Sequence, residues 1–191
     1  FIRKSVENGI DIIRIFDALN DLRNIEVAVD ETLKCGAHPS GTICYTLSPI
    51  HNLESYVALA KEMEKMGVLS ICIKDMAGIM SPKEAYDLVK AIKAEVNLPV
   101  VVHTHSTTGL GTTTLLKAVE AGADVIDTAI SCFSGGTSQP PTETLEYTLS
   151  QMGYDCGLDR KCLKKINDFF KPVRAKALES KLLNPVVLAT D

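Results

Sequence analysis

Several things are scarce or missing in this sequence, and each removes a class of protein. No apolar run approaches the roughly 20 residues of a membrane-spanning helix, and Phe1 onward does not have the pattern expected of a signal peptide. Basic residues are not in excess: the formal net charge is −4, which leaves no footprint for nucleic acid or an anionic membrane. No C-x-x-C pair occurs among Cys35, Cys44, Cys72, Cys132, Cys156 and Cys162. Those thiols read as small hydrophobes in a reducing cytoplasm, not as a zinc cluster or a disulfide framework. A starting methionine is missing too. Phe1–Gly9 has the pattern of the last turns of an amphipathic helix closed by glycine, without an N-cap. The expectation is a chain that starts inside a larger protein.

What is present is ordinary in amount and regular in order. The 191 residues, 46% hydrophobic and 23% charged, suffice for one domain with a substantial core. Apolar strands are expected at Asp11–Asn20 (ending in Asp17 and Asn20), at Thr42–Thr46 after a His38-Pro39-Ser40-Gly41 lead-in, and at Ser70–Ile73 running into Lys74 and Asp75. A fourth, Pro99–Val102, runs into His103 and His105, and a fifth spans Val125–Ile130. Between them lie helical patterns, with Asp21, Asn52 and Ser81 as N-caps and Gly36, Gly67 and Gly122 as stops. Ser81-Pro82-Lys83-Glu84 is a capping box with proline at the first helical position. Later helices are expected at Thr142–Met152 and at Asp159–Phe170, the latter interrupted by Pro172, before a Leu182–Asp191 tail without an assignment.

The strands begin near residues 12, 42, 71, 100 and 125, in steps of 30, 29, 29 and 25. That repeat means a parallel sheet with helical crossovers, either doubly wound or a TIM (β/α)8 barrel. No Gly-x-Gly-x-x-Gly follows the first strand, and Asp17, Thr46, Lys74, His103, His105 and Asp127 stand at carboxyl ends of strands. A closed barrel gathers all those ends at one rim, whereas a doubly wound sheet gathers only those near its switch point. The fold class is therefore α/β, a TIM barrel. Eight units need about 250 residues, so residues 1–153 hold the C-terminal five βα units of a partial barrel. Residues 154–191 begin a C-terminal helical extension.

Residues two apart on a strand point the same way, so His103 and His105 face together while Thr104 faces opposite. Such a pair suits a divalent metal, and a satisfied structural histidine pair equally. Lys74 sits on the preceding strand, which should pair about 4.8 Å away. A protonated lysine cannot ligate a cation, so Lys74 would have to be neutral or carry CO2 as a carbamate, a hard anionic oxygen ligand. The alternative for Lys74 is an ion pair with Asp75 or Asp17.

Three stretches carry a resemblance: Arg14-Ile15-Phe16-Asp17-Ala18-Leu19-Asn20, Ile73-Lys74-Asp75-Met76-Ala77-Gly78, and Val102-His103-Thr104-His105-Ser106-Thr107-Thr108-Gly109. In order and spacing the sequence resembles the biotin-dependent carboxyltransferase domain of oxaloacetate decarboxylase α subunits, pyruvate carboxylase and the transcarboxylase 5S subunit. The resemblance covers nearly the whole chain, and the lysine motif is its most specific part. It implies a carbamylated Lys74 that binds Zn2+, Co2+ or Mn2+ together with His103 and His105. It also implies CO2 transfer between carboxybiotin, on a separate domain or subunit, and pyruvate or oxaloacetate. On physical grounds, apart from the resemblance, Asp75 and Asp17 are candidates to orient ligands, with a surface or structural ion pair as the commoner fate of each. The family's fourth ligand, an aspartate, and its substrate-binding glutamine and arginines would precede Phe1. Its proton-shuttling threonine would follow Asp191, which leaves Thr137 as a mouth-lining or plain turn residue. The implied partners are a biotin carboxyl carrier, a second copy of the chain, and, for a decarboxylase, membrane subunits that would hold it at the membrane periphery. The rivals are an aldol-type lyase or Claisen synthase of the same barrel superfamily, which lacks the metal-binding lysine, and an inactive fragment.

Overall fold

The computed structural model describes residues 1–183; of the Leu182–Asp191 tail, residues 184–191 lie outside the described residues. A short helix α1 (Ile2–Glu7) precedes five strand–helix units: β1 (Ile12–Ile15), α2 (Glu26–Lys34), β2 (His38–Cys44), α3 (Leu53–Met66), β3 (Ser70–Asp75), α4 (Pro82–Glu95), β4 (Val100–Thr104), α5 (Gly111–Glu120), β5 (Val125–Ile126) and α6 (Thr142–Gln151). A long helix, α7 (Arg160–Glu179), follows. All the strands are parallel, in the order β1-β2-β3-β4-β5. No helix among the described residues is long and apolar enough to cross a membrane.

Two of the three N-cap signals act where the sequence puts them; Asp21 instead caps a short 3-10 turn, Leu22–Asn24, and α2 begins at Glu26 without a side-chain cap. Asn52 and Ser55 form a reciprocal capping box at the start of α3, and Ser81 and Glu84 form another at α4 with Pro82 in the first turn. Each satisfies amide donors that the first helical turn leaves open.

The two faces of the sheet differ in kind. Ile15, Ile43, Ile71, Ile73, Val100 and Val102 point to one face and join Val29, Met63, Leu88, Val89, Ile92 and Leu115 of the helices in a single core. Full burial of each such side chain contributes about 1.5–3 kcal/mol. Because side chains alternate along a strand, this burial forces Arg14, Ser40, Thr42, Ser70, Cys72, Lys74, Val101 and His103 onto the opposite face.

That second face is concave. In a flat sheet β1 and β5 would lie four strand spacings apart, about 19 Å, which an arginine and an aspartate cannot bridge. Yet Arg14 of β1 forms a salt bridge with Asp127, the residue that follows β5. The five strands therefore curl as a barrel wall does, and a doubly wound open sheet is excluded. The fold is α/β, a five-unit segment of a TIM barrel.

β1, β2, β5 and α7 differ in extent from expectation. β1 ends at Ile15 and not near Asn20, because Asp17–Asn20 closes a turn in which the Asn20 amide donates to the Asp17 carbonyl at 3.0 Å. β2 starts at His38, so His38-Pro39-Ser40-Gly41 is strand and not a lead-in. Gly41 is needed there because a Cβ would meet Val68 Cγ1 at 2.9 Å and Met63 Sδ at 3.0 Å, where α3 packs closely. The proline precedes the first β2–β3 register pair, Ser40 with Ser70, so no ladder donor of that pairing is lost. β5 holds two ladder residues, not six, because Ala129 and Thr142 exchange bonds with Pro140 and Ala129 in the following loop. α7 is not interrupted at Pro172 but continues to Glu179. Lys164 and Lys171 both pair with Asp168 across that turn, and the helix buries no residue, so the lost hydrogen bond is not trapped in a core.

Candidate metal centre

Lys74 and His103 are direct register partners on β3 and β4, so their side chains leave the concave face side by side. His105 lies one residue beyond β4, and its amide donates to the Asp75 carbonyl at 3.1 Å, prolonging the ladder. The turn after β3 is tied to the turn after β4. The buried Asp75 carboxylate accepts from the Ile79 amide (3.1 Å), the Met80 amide (2.9 Å) and the Thr104 hydroxyl (2.9 Å). Thr108 donates its hydroxyl to the Gly78 carbonyl. Gly78 has φ +68°, and a Cβ there would meet the His105 carbonyl oxygen at 2.6 Å. Only glycine satisfies both conditions. Gly78→Ala is therefore expected to destabilise the protein by about 1–3 kcal/mol and to shift His105. Denaturant titration together with the His105 imidazole NMR signals checks this; an unperturbed pair of measurements would contradict the contact.

The two imidazoles converge. Their Nε2 atoms are 3.2 Å apart, with ring centroids 5.1 Å apart and planes at 64°. His103 Nδ1 lies 2.7 Å from Asp127 Oδ2, and His105 Nδ1 lies 2.5 Å from the Thr137 carbonyl oxygen. A carboxylate and a carbonyl accept only, so the hydrogen-bond network assigns a proton to each Nδ1. Both Nε2 lone pairs then face one point. Two lone pairs so placed repel unless a donor or a cation lies between them. The amide nitrogen of Gln139 is 3.5 Å and 3.3 Å from the two Nε2 atoms, which is a partial answer at the long end of hydrogen bonding. This donor set fits a cation that accepts imidazole nitrogen.

The Lys74 ammonium lies 3.9 Å from the centroid of the Phe16 ring, a cation–π contact with the residue that follows β1. It makes no ion pair with Asp75 or Asp17, the partners considered for it. Both acids serve the backbone instead. Asp17 accepts from the Asp21 amide, the Asn24 side chain and the Leu19 amide, which hold its carboxyl below the usual range. Neither carboxylate hydrogen-bonds a candidate ligand. Among the described residues no group of three or more His, Cys, Asp or Glu side chains is placed to hold a metal. A metal held by the histidine pair would need a donor of another kind, and Lys74 is the register neighbour of His103.

Sequence reasoning missed two residues of this cluster. Asp127 was legible as a polar strand end but carried no role; its partner His103 is 24 residues away. Burial alone would raise its carboxyl, but hydrogen bonds from His103 and Arg14 and the guanidinium charge outweigh that and hold it at about 2. Gln139 had no signal, because the loop that carries it is placed by non-local bonds such as Ser106 N–H to the Ser138 carbonyl at 2.8 Å. Thr137 lines the site through its main-chain carbonyl. Cys72, behind the cluster, is pushed up to about 11 by burial against the pull of Arg14, and Cys44 is likewise raised by burial. A cavity of about 510 Å3 beside β5, between α5, α6 and residues 154–158, includes none of the candidate ligands in its lining.

A barrel wall whose neighbouring strand ends carry a lysine and a convergent histidine pair has the layout of a barrel-rim site, where enzymes of this fold keep their chemistry. Residues 42–170 match the model of the HMGL-like family, and the chain belongs to that family. It is 56% identical over 176 residues to a pyruvate carboxylase subunit of Methanocaldococcus jannaschii, covering 92% of this chain and 31% of that protein. It is 48% identical over 191 residues to the methylmalonyl-CoA carboxyltransferase 5S subunit of Propionibacterium freudenreichii subsp. shermanii, covering 96% of this chain and 37% of that one. The carboxyl transferase domain of Rhizobium etli pyruvate carboxylase, solved with pyruvate and biocytin, superposes with a TM-score of 0.88 at 38% identity, over 91% of this chain and 30% of that one. The chain thus spans about a third of the length of the relatives it matches.

Proposed function

We propose that this chain is part of a biotin-dependent carboxyltransferase that moves CO2 between biotin and pyruvate. In the decarboxylating direction the C–C bond to the β-carboxyl of oxaloacetate breaks, leaving the enolate of pyruvate and CO2. Biotin N1 takes the CO2 and gives up its proton, and a proton ends on the enolate carbon; carboxylation of pyruvate is the reverse. The observation that carries this reading is the pair of Nε2 lone pairs 3.2 Å apart, with Lys74 in register beside His103. The names of the relatives support the same reading.

His103 and His105 would hold a Zn2+, Co2+ or Mn2+ ion through Nε2, with Lys74 as the third donor. A protonated amine repels a dication. The donor is therefore the carbamate that forms when the free amine adds CO2 and releases a proton, turning a positive group into an anionic oxygen ligand. When bound, such an ion supplies Lewis-acid stabilisation of the enolate oxygen. The chain's own residues do the rest of the preparation. The Thr137 carbonyl keeps the proton of His105 on Nδ1, and Asp127 does so for His103. The Asp75 carboxylate locks the two strand ends at one height. The biotin would arrive on a carrier domain or subunit, and membrane subunits would belong to a decarboxylase parent alone. Residues 1–153 would act as the barrel part and 154–191 as the start of a helical one.

The test uses the whole protein that contains this chain. Pyruvate release from oxaloacetate should rise when free biotin is added, and elemental analysis should find one divalent metal per chain, lost in His103→Ala and in His105→Ala. Biotin-independent turnover, or aldol cleavage or acyl-CoA condensation in its place, would overturn the reaction. Full metal content in both variants would overturn the ligand assignment.

A further inference from the structure

Asp127, just beyond the β5 edge, is reached across the concave face by the side chain of Arg14 from the β1 edge. One of its oxygens, Oδ2, accepts from His103 Nδ1 at 2.7 Å and from Arg14 Nη1, while Oδ1 lies 3.4 Å from Arg14 Nη2. The guanidinium therefore grips the carboxylate edge-on, with both forks engaged. The His103 side chain is only 15% exposed, so its ring is enclosed and this bond sets its remaining freedom.

We propose that Asp127, clamped by Arg14 from the far side of the concave face, is the positioning residue that makes His103 a metal ligand. This rests on the reading of His103 as a ligand. An imidazole can donate only from an unprotonated nitrogen, and its two tautomers present different ones. A carboxylate on Nδ1 keeps the proton there, aims Nε2 outward and makes it more basic. His105 receives the same orientation from a neutral main-chain carbonyl, so the two histidines are unequal and His103 is the stronger donor. The clamp also joins two distant parts of the chain: Arg14 and Asp127 are 113 residues apart, on opposite edges of the sheet. Ligand orientation is thereby coupled to the curl of the sheet, because a flatter wall would withdraw Arg14 from Asp127.

The experiment measures Zn2+ affinity of the full protein by competition with a chromophoric chelator, in wild type, His103→Ala, Asp127→Asn and Arg14→Gln. Asp127→Asn keeps the shape and an acceptor but removes the charge, and it should weaken Zn2+ binding roughly 10–100-fold. Arg14→Gln should weaken it by a smaller factor in the same direction, and His103→Ala by more than either. A His103→Ala protein with wild-type affinity would overturn the ligand reading itself. Loss in His103→Ala together with unchanged affinity in Asp127→Asn would overturn only the positioning role, leaving the pair as a strut of the fold. Unchanged affinity in Arg14→Gln would remove Arg14 from the clamp. Histidine 15N spectra of the metal-free wild type need no variant: His103 should be the Nδ1–H tautomer, and an Nε2–H tautomer would overturn the proposal even where Asp127→Asn fails to fold.

Discussion

Lys74→Arg in the whole protein should cut oxaloacetate decarboxylation roughly 10²–10³-fold, the scale of loss when one preorganised electrostatic stabiliser is removed. Arginine keeps the positive charge and the stacking over Phe16 that Lys74 has at 3.9 Å, so the packing of the wall should persist. What arginine cannot do is lose its proton and add CO2. The variant therefore separates the two fates of this residue. An ion-pair or cation–π residue tolerates the exchange; a carbamate ligand does not. Metal content should fall along with turnover, and depletion of CO2 from the wild type should reproduce part of both losses. Near-normal turnover and metal content in Lys74→Arg would leave Lys74 as a cation resting on Phe16.

The 191-residue chain, prepared by itself, should associate into dimers or larger species and show no carboxyltransferase activity. β1 and β5 are the two edges of the sheet, and each offers unpaired amide and carbonyl groups along one side. Apolar side chains accompany them: Ile12 is 60% exposed, Phe16 43% and Val125 49%. Edge groups and apolar surface together template addition of another strand. Lysine is the residue that proteins use to blunt such edges, so Ile12→Lys combined with Val125→Lys should raise the monomer fraction in sedimentation velocity. A wild-type chain that sediments as a monodisperse, active monomer would show that the edges are already satisfied.

Much of this protein was legible in the order of its residues. Ser81-Pro82-Lys83-Glu84 and Asn52 mark helix starts by local hydrogen-bond chemistry, and both cap as read; that Ser55 answers Asn52 came from the structure. The alternation of Ile71, Ile73, Val100 and Val102 with Cys72, Lys74, Val101 and His103 determined which side chains leave the core, because a strand has a period of two. The same period and the recurrence of strands determined that Lys74 and His103 stand at neighbouring strand ends.

The rest depended on contacts between residues far apart in the chain. Pro39 and Gly41 look like a turn, yet they are strand because they pair with Ile13 and Ile15 of β1, and the close packing of α3 leaves room only for glycine at 41. Six apolar-patterned residues from Val125 shrink to a two-residue strand because the chain beyond Asp127 pairs with its own loop. Asp75 and Asp17, which sequence offered as supports for the ligands, are taken up by nearby amides, while Asp127 and Arg14 meet only once the sheet has curled. Local periodicity and capping act over a few residues, so sequence alone determined the elements and the faces they present. The curvature of the sheet, and with it the company that His103 keeps, was decided by tertiary structure, because it arises from pairing and packing across more than a hundred residues.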